Sequence, residues 1–142
     1  MEKSKPLMLT IKKLDKEWLR YLRKISGELG MPDAYRRIIM FLSFNEGASQ
    51  KEVAAFCEMT GAAVSQTIKE MQLLGYIRKE NDKDDMRFFK LYLTEKAKAS
   101  VEIIREKIHL ADDFVTKAVT PQKEAEIVGI LEELMLAIRK EV

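Results

Sequence analysis

Between Ser49 and Thr94 the chain follows a pattern that few folds can satisfy. Ser49-Gln50-Lys51-Glu52 is a capping box. The Ser hydroxyl accepts a first-turn backbone N–H and the Glu reaches back, so a helix must begin there. Thr60 opens a second helix, which Gly75 ends. A period-2 segment from Tyr76 to Lys79 follows, then the charged run Asn81-Asp82-Lys83-Asp84-Asp85-Met86-Arg87. A second strand is expected over 88–93, where Phe89, Leu91 and Leu93 alternate with Phe88, Lys90 and Tyr92. Helix, tight turn, helix and hairpin in that order predict a winged helix-turn-helix. Such a lobe sets one exposed helix and one charged loop on the same side, a shape suited to the grooves of duplex DNA.

The flanks read as helices. Over about 11–29, Leu14, Trp18, Tyr21, Leu22, Ile25 and Leu29 recur at helical spacing. Gly30 stands at the stop position, with Pro32 just beyond. A second helix from Asp33 is expected to bury Tyr35, Ile38, Ile39 and Leu42, and Asn45-Glu46-Gly47 to form a turn. Met1 to Pro6 reads as a tail without fixed structure. Beyond Thr94, Ala97, Val101, Ile104, Ile108, Ala111, Val115 and Ala118 alternate at spacings of four and three, a coiled-coil type of seam. Thr120-Pro121 marks the next helix start, and that helix carries Ile127, Leu131, Leu134 and Ile138. The seams can pack within one chain. The winged lobe is a small surface for such long helices to cover, so pairing with a second copy is the stronger expectation. The expected architecture is mainly α (α+β), one domain over 1–142. Its winged lobe spans 33–94, and helical dimerisation segments span 7–30 and 95–142.

Composition bounds the function. With 46% hydrophobic and 34% charged residues the chain suits a soluble globular domain. No apolar run exceeds five residues (38–42 is one), too short to span a bilayer. The apolar stretch over 7–11 is too short for a signal peptide and runs into Lys12-Lys13, so a cytoplasmic location is expected. The single Cys57 excludes an internal disulfide and fits a reducing compartment. At the C-terminal end of its helix it lacks the electropositive setting of a reactive thiolate, and reads as a buried thiol. One His and one Cys cannot build a Cys/His zinc site, and there is no glycine-rich phosphate loop. His109 has no catalytic neighbours and reads as a surface or pocket-lining residue. No cofactor and no enzymatic activity are expected. Net charge is only +2, with residues 1–24 carrying eight basic against three acidic side chains and residues 47–92 seven of each.

Drawn on a helical wheel, the helix from Thr60 turns Val64, Ile68 and Met71 inward and leaves Ala62, Gln66, Lys69 and Leu73 opposite, with Ser65 on the flank. Gln66 can pair with adenine N6 and N7, and Ala62 or Ala63 can touch a thymine methyl. Ser65 and Lys69 suit phosphates, and Thr60 sits where a helix N-terminus favours an anion. Ser49 and Lys83 complete the candidate contact set. Arg87 can enter a minor groove or grip phosphate, with Asp85 orienting its guanidinium. The plainer alternative is an amphipathic helix facing water and a solvated turn with a weak surface ion pair. Three Asp residues at the tip would repel phosphate unless they serve the loop itself.

Ser49-Gln50-Lys51-Glu52-Val53-Ala54, Val64-Ser65, Leu74-Gly75-Tyr76-Ile77 and Asp82-x-x-Asp85-x-Arg87 followed by Leu93-Thr94-Glu95-Lys96 carry a resemblance. The chain resembles the MarR (multiple antibiotic resistance regulator) family of winged-helix transcription regulators. The resemblance is close over the winged lobe; in the flanking helices it extends only to length and placement. It implies a homodimer held by helices from both termini, major-groove reading by the helix from Thr60, and minor-groove insertion of Arg87 braced by Asp85. It further implies a small-molecule effector pocket between the dimer helices and the lobe, with Trp18, Tyr21, Tyr35, Met40 and His109 as lining candidates, each of which also reads as core. Gln66 stands where the family often has Arg, and Ala97 where Gly is usual. The expected function is a sequence-specific double-stranded DNA-binding regulator, a ligand-responsive repressor on a pseudo-palindromic operator. The alternative is a winged-helix protein-interaction module that has given up DNA; a small hydrolase lacks a site.

Overall fold

Polar caps fix where most of the helices begin. The computed structural model describes residues 5–142. Along them run α1 (Leu7–Glu28), α2 (Asp33–Phe44), α3 (Gln50–Cys57), α4 (Gly61–Leu73), β1 (Ile77–Asn81), β2 (Phe89–Leu93), α5 (Glu95–Thr116) and α6 (Pro121–Glu141). Ser49 Oγ accepts from the Glu52 N–H, Thr60 Oγ1 from Ala63 and Thr120 Oγ1 from Lys123, at 3.1, 3.1 and 3.2 Å. Each satisfies an N–H that the helix cannot pair. Glu52 answers with its carboxylate, which accepts from the Ser49 hydroxyl at 3.4 Å. The fold is a mainly α winged helix with a two-stranded antiparallel sheet.

The helix ends are equally specific. At Gly30 and Gly75 the backbone enters the left-handed region, φ +72° and +81°. Met31 N–H then reaches back to Ser26 O, and Tyr76 N–H to Met71 O. These are six-to-one closures that glycine permits without a Cβ penalty. The second closure explains why β1 starts at Ile77, one residue later than the alternation suggested: the Tyr76 N–H is already engaged. Likewise Phe88 N–H is taken by Asp85 O at 3.1 Å inside the wing tip, so β2 starts at Phe89.

Three further departures from expectation have plain causes. Helix α1 begins at Leu7 rather than near residue 11, because Pro6 at the N-cap offers its carbonyl to the Thr10 N–H and hydroxyl. The expected tail falls partly on residues 1–4, outside the described residues. Helix α5 stops at Thr116, so Ala118 stands in the following turn and is not on the seam. Ala48 forms an isolated bridge to Leu91, a single pairing on the other edge of β2, with Leu91 N–H donating to Ala48 O at 2.9 Å and Gly47 N–H to Leu91 O at 2.8 Å.

The chain divides into two compact units, one up to Glu106 and one over Lys107–Val142. In the first, Ile38, Ile39, Leu42, Val53, Val64, Ile68, Met71, Leu91 and Ile104 are fully buried. This core seats α4 and the hairpin, which pairs Ile77 with Leu93 through Asn81 with Phe89. Arg36 is also buried, its guanidinium donating to Ser26 Oγ at 3.0 Å and Asp33 Oδ1 at 2.9 Å, so the charge is both paired and hydrogen-bonded. Ala97 and Val101 of the α5 seam belong to this core too. In the second unit Ala111 is buried, whereas α6 buries no residue and exposes Ile127, Val128, Ile130, Met135, Leu136 and Ile138. Among the described residues no helix is long and apolar enough to cross a membrane.

Candidate nucleic-acid interface

The first turn of α4 is open. A Cβ built on Gly61 would meet nothing within 4 Å, and Ala62 and Ala63 are exposed beside it. Gln66 and Lys69 are exposed and Ser65 half-buried, while Val64, Ile68 and Met71 are fully buried. The helix therefore presents the face that its sequence pattern predicts. Leu73, 89% exposed, continues that face at its far end.

The wing tip is a hydrogen-bonded loop. Asp82 Oδ1 accepts from the Asp84 N–H at 2.9 Å, and Asp82 N–H closes on Phe88 O at 2.9 Å. Asp85 takes Arg87 with both oxygens, accepting from Nε at 3.0 Å and Nη2 at 2.8 Å, and accepts the Arg87 N–H as well. This is a fork-to-fork pair of the strong, directional kind. Bonding to Arg87 holds the Asp85 carboxyl below its ordinary range and raises Arg87 further. The arginine also lies over the Phe88 ring, 5.9 Å from its centroid. Its side chain is 84% exposed nonetheless. Two of the three tip aspartates thus serve the loop, and the guanidinium is aimed while remaining open to solvent. Lys83 is exposed on the same loop.

The segment Leu93-Thr94-Glu95-Lys96 acts as a joint. Thr94 Oγ1 donates to Gly75 O and accepts from the Ala97 N–H, capping α5. Lys96 Nζ donates to Leu74 O at 2.6 Å and lies 4.6 Å from the Tyr76 ring centroid. A cation is thereby placed on the negative end of α4. Sequence reasoning assigned no role to Lys96, although a Lys placed after a helix stop is a usable signal. It also missed Glu70. That carboxylate accepts from Gln66 Nε2 at 3.3 Å and from Tyr35 Oη at 3.1 Å, and the i,i+4 spacing of Gln66 and Glu70 was the available clue.

The five expected pocket residues are placed as follows. Tyr35 is buried, edge-on to Tyr76 at 6.1 Å. Trp18 and Tyr21 stack on each other along α1, 6.2 Å between centroids. Met40 lines a cleft of about 300 Å³ with Leu19, Arg36, Arg37, Phe56 and Cys57. His109 belongs to the second unit, where it is exposed and lies 3.5 Å from Asp113. Cys57 is buried, and burial pushes its thiol up despite the neighbouring Arg37 and Arg36. The thiolate is thus disfavoured.

Residues 29–87 match the model of the MarR family. No curated protein matches the chain in sequence. In structure it is similar to wild-type MarR in its apo form from E. coli, at 16% identity over 94% of this chain and 98% of that one, TM-score 0.82. A MarR protein from Peptoclostridium difficile gives 18% identity over 99% and 93%, TM-score 0.80. A MarR transcriptional regulator from Methanosarcina mazei gives 18% identity over 96% and 98%, TM-score 0.80. Identities this low speak for the fold.

Proposed function

Because residues 29–87 match the model of the MarR family, we propose that the protein is a sequence-specific double-stranded DNA-binding transcription regulator, a repressor acting as a homodimer in the cytoplasm. The family is one of DNA-binding regulators, so the role is regulatory rather than catalytic. The observation that carries the reading is Arg87. A guanidinium held along one edge by Asp85, through Nε and Nη2, resting on Phe88 and still open to solvent, is prepared for an anionic partner outside the chain. Holding it in place before contact lowers the ordering cost of binding. Helix α4 supplies the reading surface through Ala62, Ala63 and Gln66, with Thr60, Ser65, Lys69, Ser49 and Lys83 toward phosphates. Two lobes in a dimer would meet half-sites about one helical turn apart, hence a pseudo-palindromic operator. A small-molecule effector is part of the proposal, and the cleft beside Met40 is one place in the first unit open to it.

The test is fluorescence anisotropy against DNA from upstream of the protein's own gene and against DNA selected from a random pool. It is run at about 150 mM salt with excess competitor, because affinities without a stated salt cannot be compared. The parent binds saturably. Arg87→Ala weakens binding to all sequences, and Gln66→Ala relaxes discrimination at one base step by about 1–3 kcal/mol. Binding no tighter than to scrambled DNA sinks the reading. The second reading, a protein-interaction lobe, draws on the balance of seven basic and seven acidic residues over 47–92. A steep fall of DNA affinity with salt counts against it.

A further inference from the structure

Gln66 is an exposed amide on the outer face of α4, and an amide is ambiguous. Its oxygen accepts and its nitrogen donates, and a half-turn of the group exchanges the two ends. A carboxylate has only acceptors to offer, so whatever lies against it must be the nitrogen. Glu70 stands one turn along the helix with Oε1 3.3 Å from Gln66 Nε2. Its other oxygen, Oε2, accepts from the hydroxyl of Tyr35 at 3.1 Å. Tyr35 comes from α2, is only 6% exposed, and packs edge-on to Tyr76. The carboxylate is thus fixed from the core side by a ring that cannot move freely, and it passes that fixity to an exposed amide. Burial, and then the bond to Glu70, raises the Tyr35 hydroxyl above its ordinary value, so it remains the donor.

We propose that Glu70 is a positioning residue for base recognition: anchored by Tyr35, it locks the Gln66 amide in one orientation and so commits α4 to adenine at the contacted base. With one N–H engaged by Glu70, Gln66 keeps one donor and one acceptor. That pair matches adenine, which shows N7 as acceptor and N6 as donor. Guanine shows two acceptors, O6 and N7, and the locked amide has one free N–H to offer them. The lock also fixes which end of the amide leads along the groove, and hence the polarity of the site. This rests on the DNA-binding reading above.

The test is selection of bound duplexes from a random pool with four full-length proteins: the parent, Gln66→Ala, Glu70→Gln and Tyr35→Phe. Gln66→Ala identifies the base position that Gln66 reads. Glu70→Gln keeps shape and hydrogen-bonding reach but accepts either end of the Gln66 amide, so the preference for adenine over guanine at that position falls roughly three- to tenfold while the rest of the selected sequence is unchanged. Tyr35→Phe, which keeps the buried ring, moves the same position in the same direction by less. A spectroscopic readout accompanies it: the Gln66 side-chain N–H proton bonded to Glu70 lies downfield of its free-amide position in the parent and moves back toward that position in Glu70→Gln. A Glu70→Gln protein that selects adenine as strongly as the parent overturns the inference and leaves DNA binding standing. A parent that selects no sequence overturns the DNA reading, and the inference with it.

Discussion

Asp85 is held by one neighbour, and its protonation reports that bond. The carboxylate accepts both nitrogens of the Arg87 fork and the Arg87 backbone N–H, and these bonds lower its pKa from the ordinary 3.8. A depressed value means that the bonds favour the folded loop above the ordinary pKa, and that this contribution fades as the pH falls through the lowered one. In a carbon-detected NMR titration Asp85 should therefore titrate below 3.8, and Arg87→Ala, which removes the side-chain bonds but keeps the backbone one, should raise it toward that value. An unshifted Asp85 in the parent would mean that the brace does not persist in solution. Asp85 and Arg87 were legible in the sequence because two residues of spacing suffice for such a fork. Glu70 was not, since its meaning depends on Tyr35, thirty-five residues away, and only the fold brings the two together.

At the scale of the element, α4 depends on its cap more than most helices do. Its first residues are Gly61, Ala62 and Ala63, which contribute little packing of their own, and all three are exposed. Thr60 Oγ1 on the Ala63 N–H is the bond that starts the helix. Thr60→Ala should cost about 1 kcal/mol in urea denaturation, with Thr60→Ser retaining most of it. Hydrogen exchange should speed up at Ala63 and Val64 before it does at Met71. Uniform protection along α4 in Thr60→Ala would show that packing, not the cap, holds the first turn. Caps were the most readable feature of this chain: Ser49, Thr60 and Thr120 all sit where the sequence put them. The pairing at Ala48 was hidden because a single bridging residue has no period to betray it. The end of α5 was misread for the opposite reason: the apolar spacing runs on to Ala118 after the helix has stopped at Thr116.

For the molecule as a whole, apolar side chains are left in water in each unit: those of α6 in the second and, in the first, those at the start of α1, Leu7, Met8 and Leu9 among them. The proposed homodimer gives them a place to go. Sedimentation equilibrium should give twice the 16.4 kDa of the chain, and the melting temperature should rise with protein concentration. Ile127→Glu combined with Ile138→Glu should shift the protein toward monomer. A concentration-independent mass of one chain would leave the operator model without its two-fold symmetry. The sequence carried the apolar seams but not their partners, because a heptad pattern looks the same whether the facing helix belongs to its own chain or to another. The joint at Thr94 and Lys96 has a mechanical side. It pins the last turn of α4 to the first turn of α5, so α4 is held at one end. Thirteen residues make a lever of roughly 20 Å from that pivot to the open first turn. A tilt of about 5° at the pivot carries the tip nearly 2 Å, from within hydrogen-bond reach of a base edge to well outside it. Whatever shifts the start of α5 by a small angle thus moves the far end of α4 by a distance that the proposed base recognition cannot absorb.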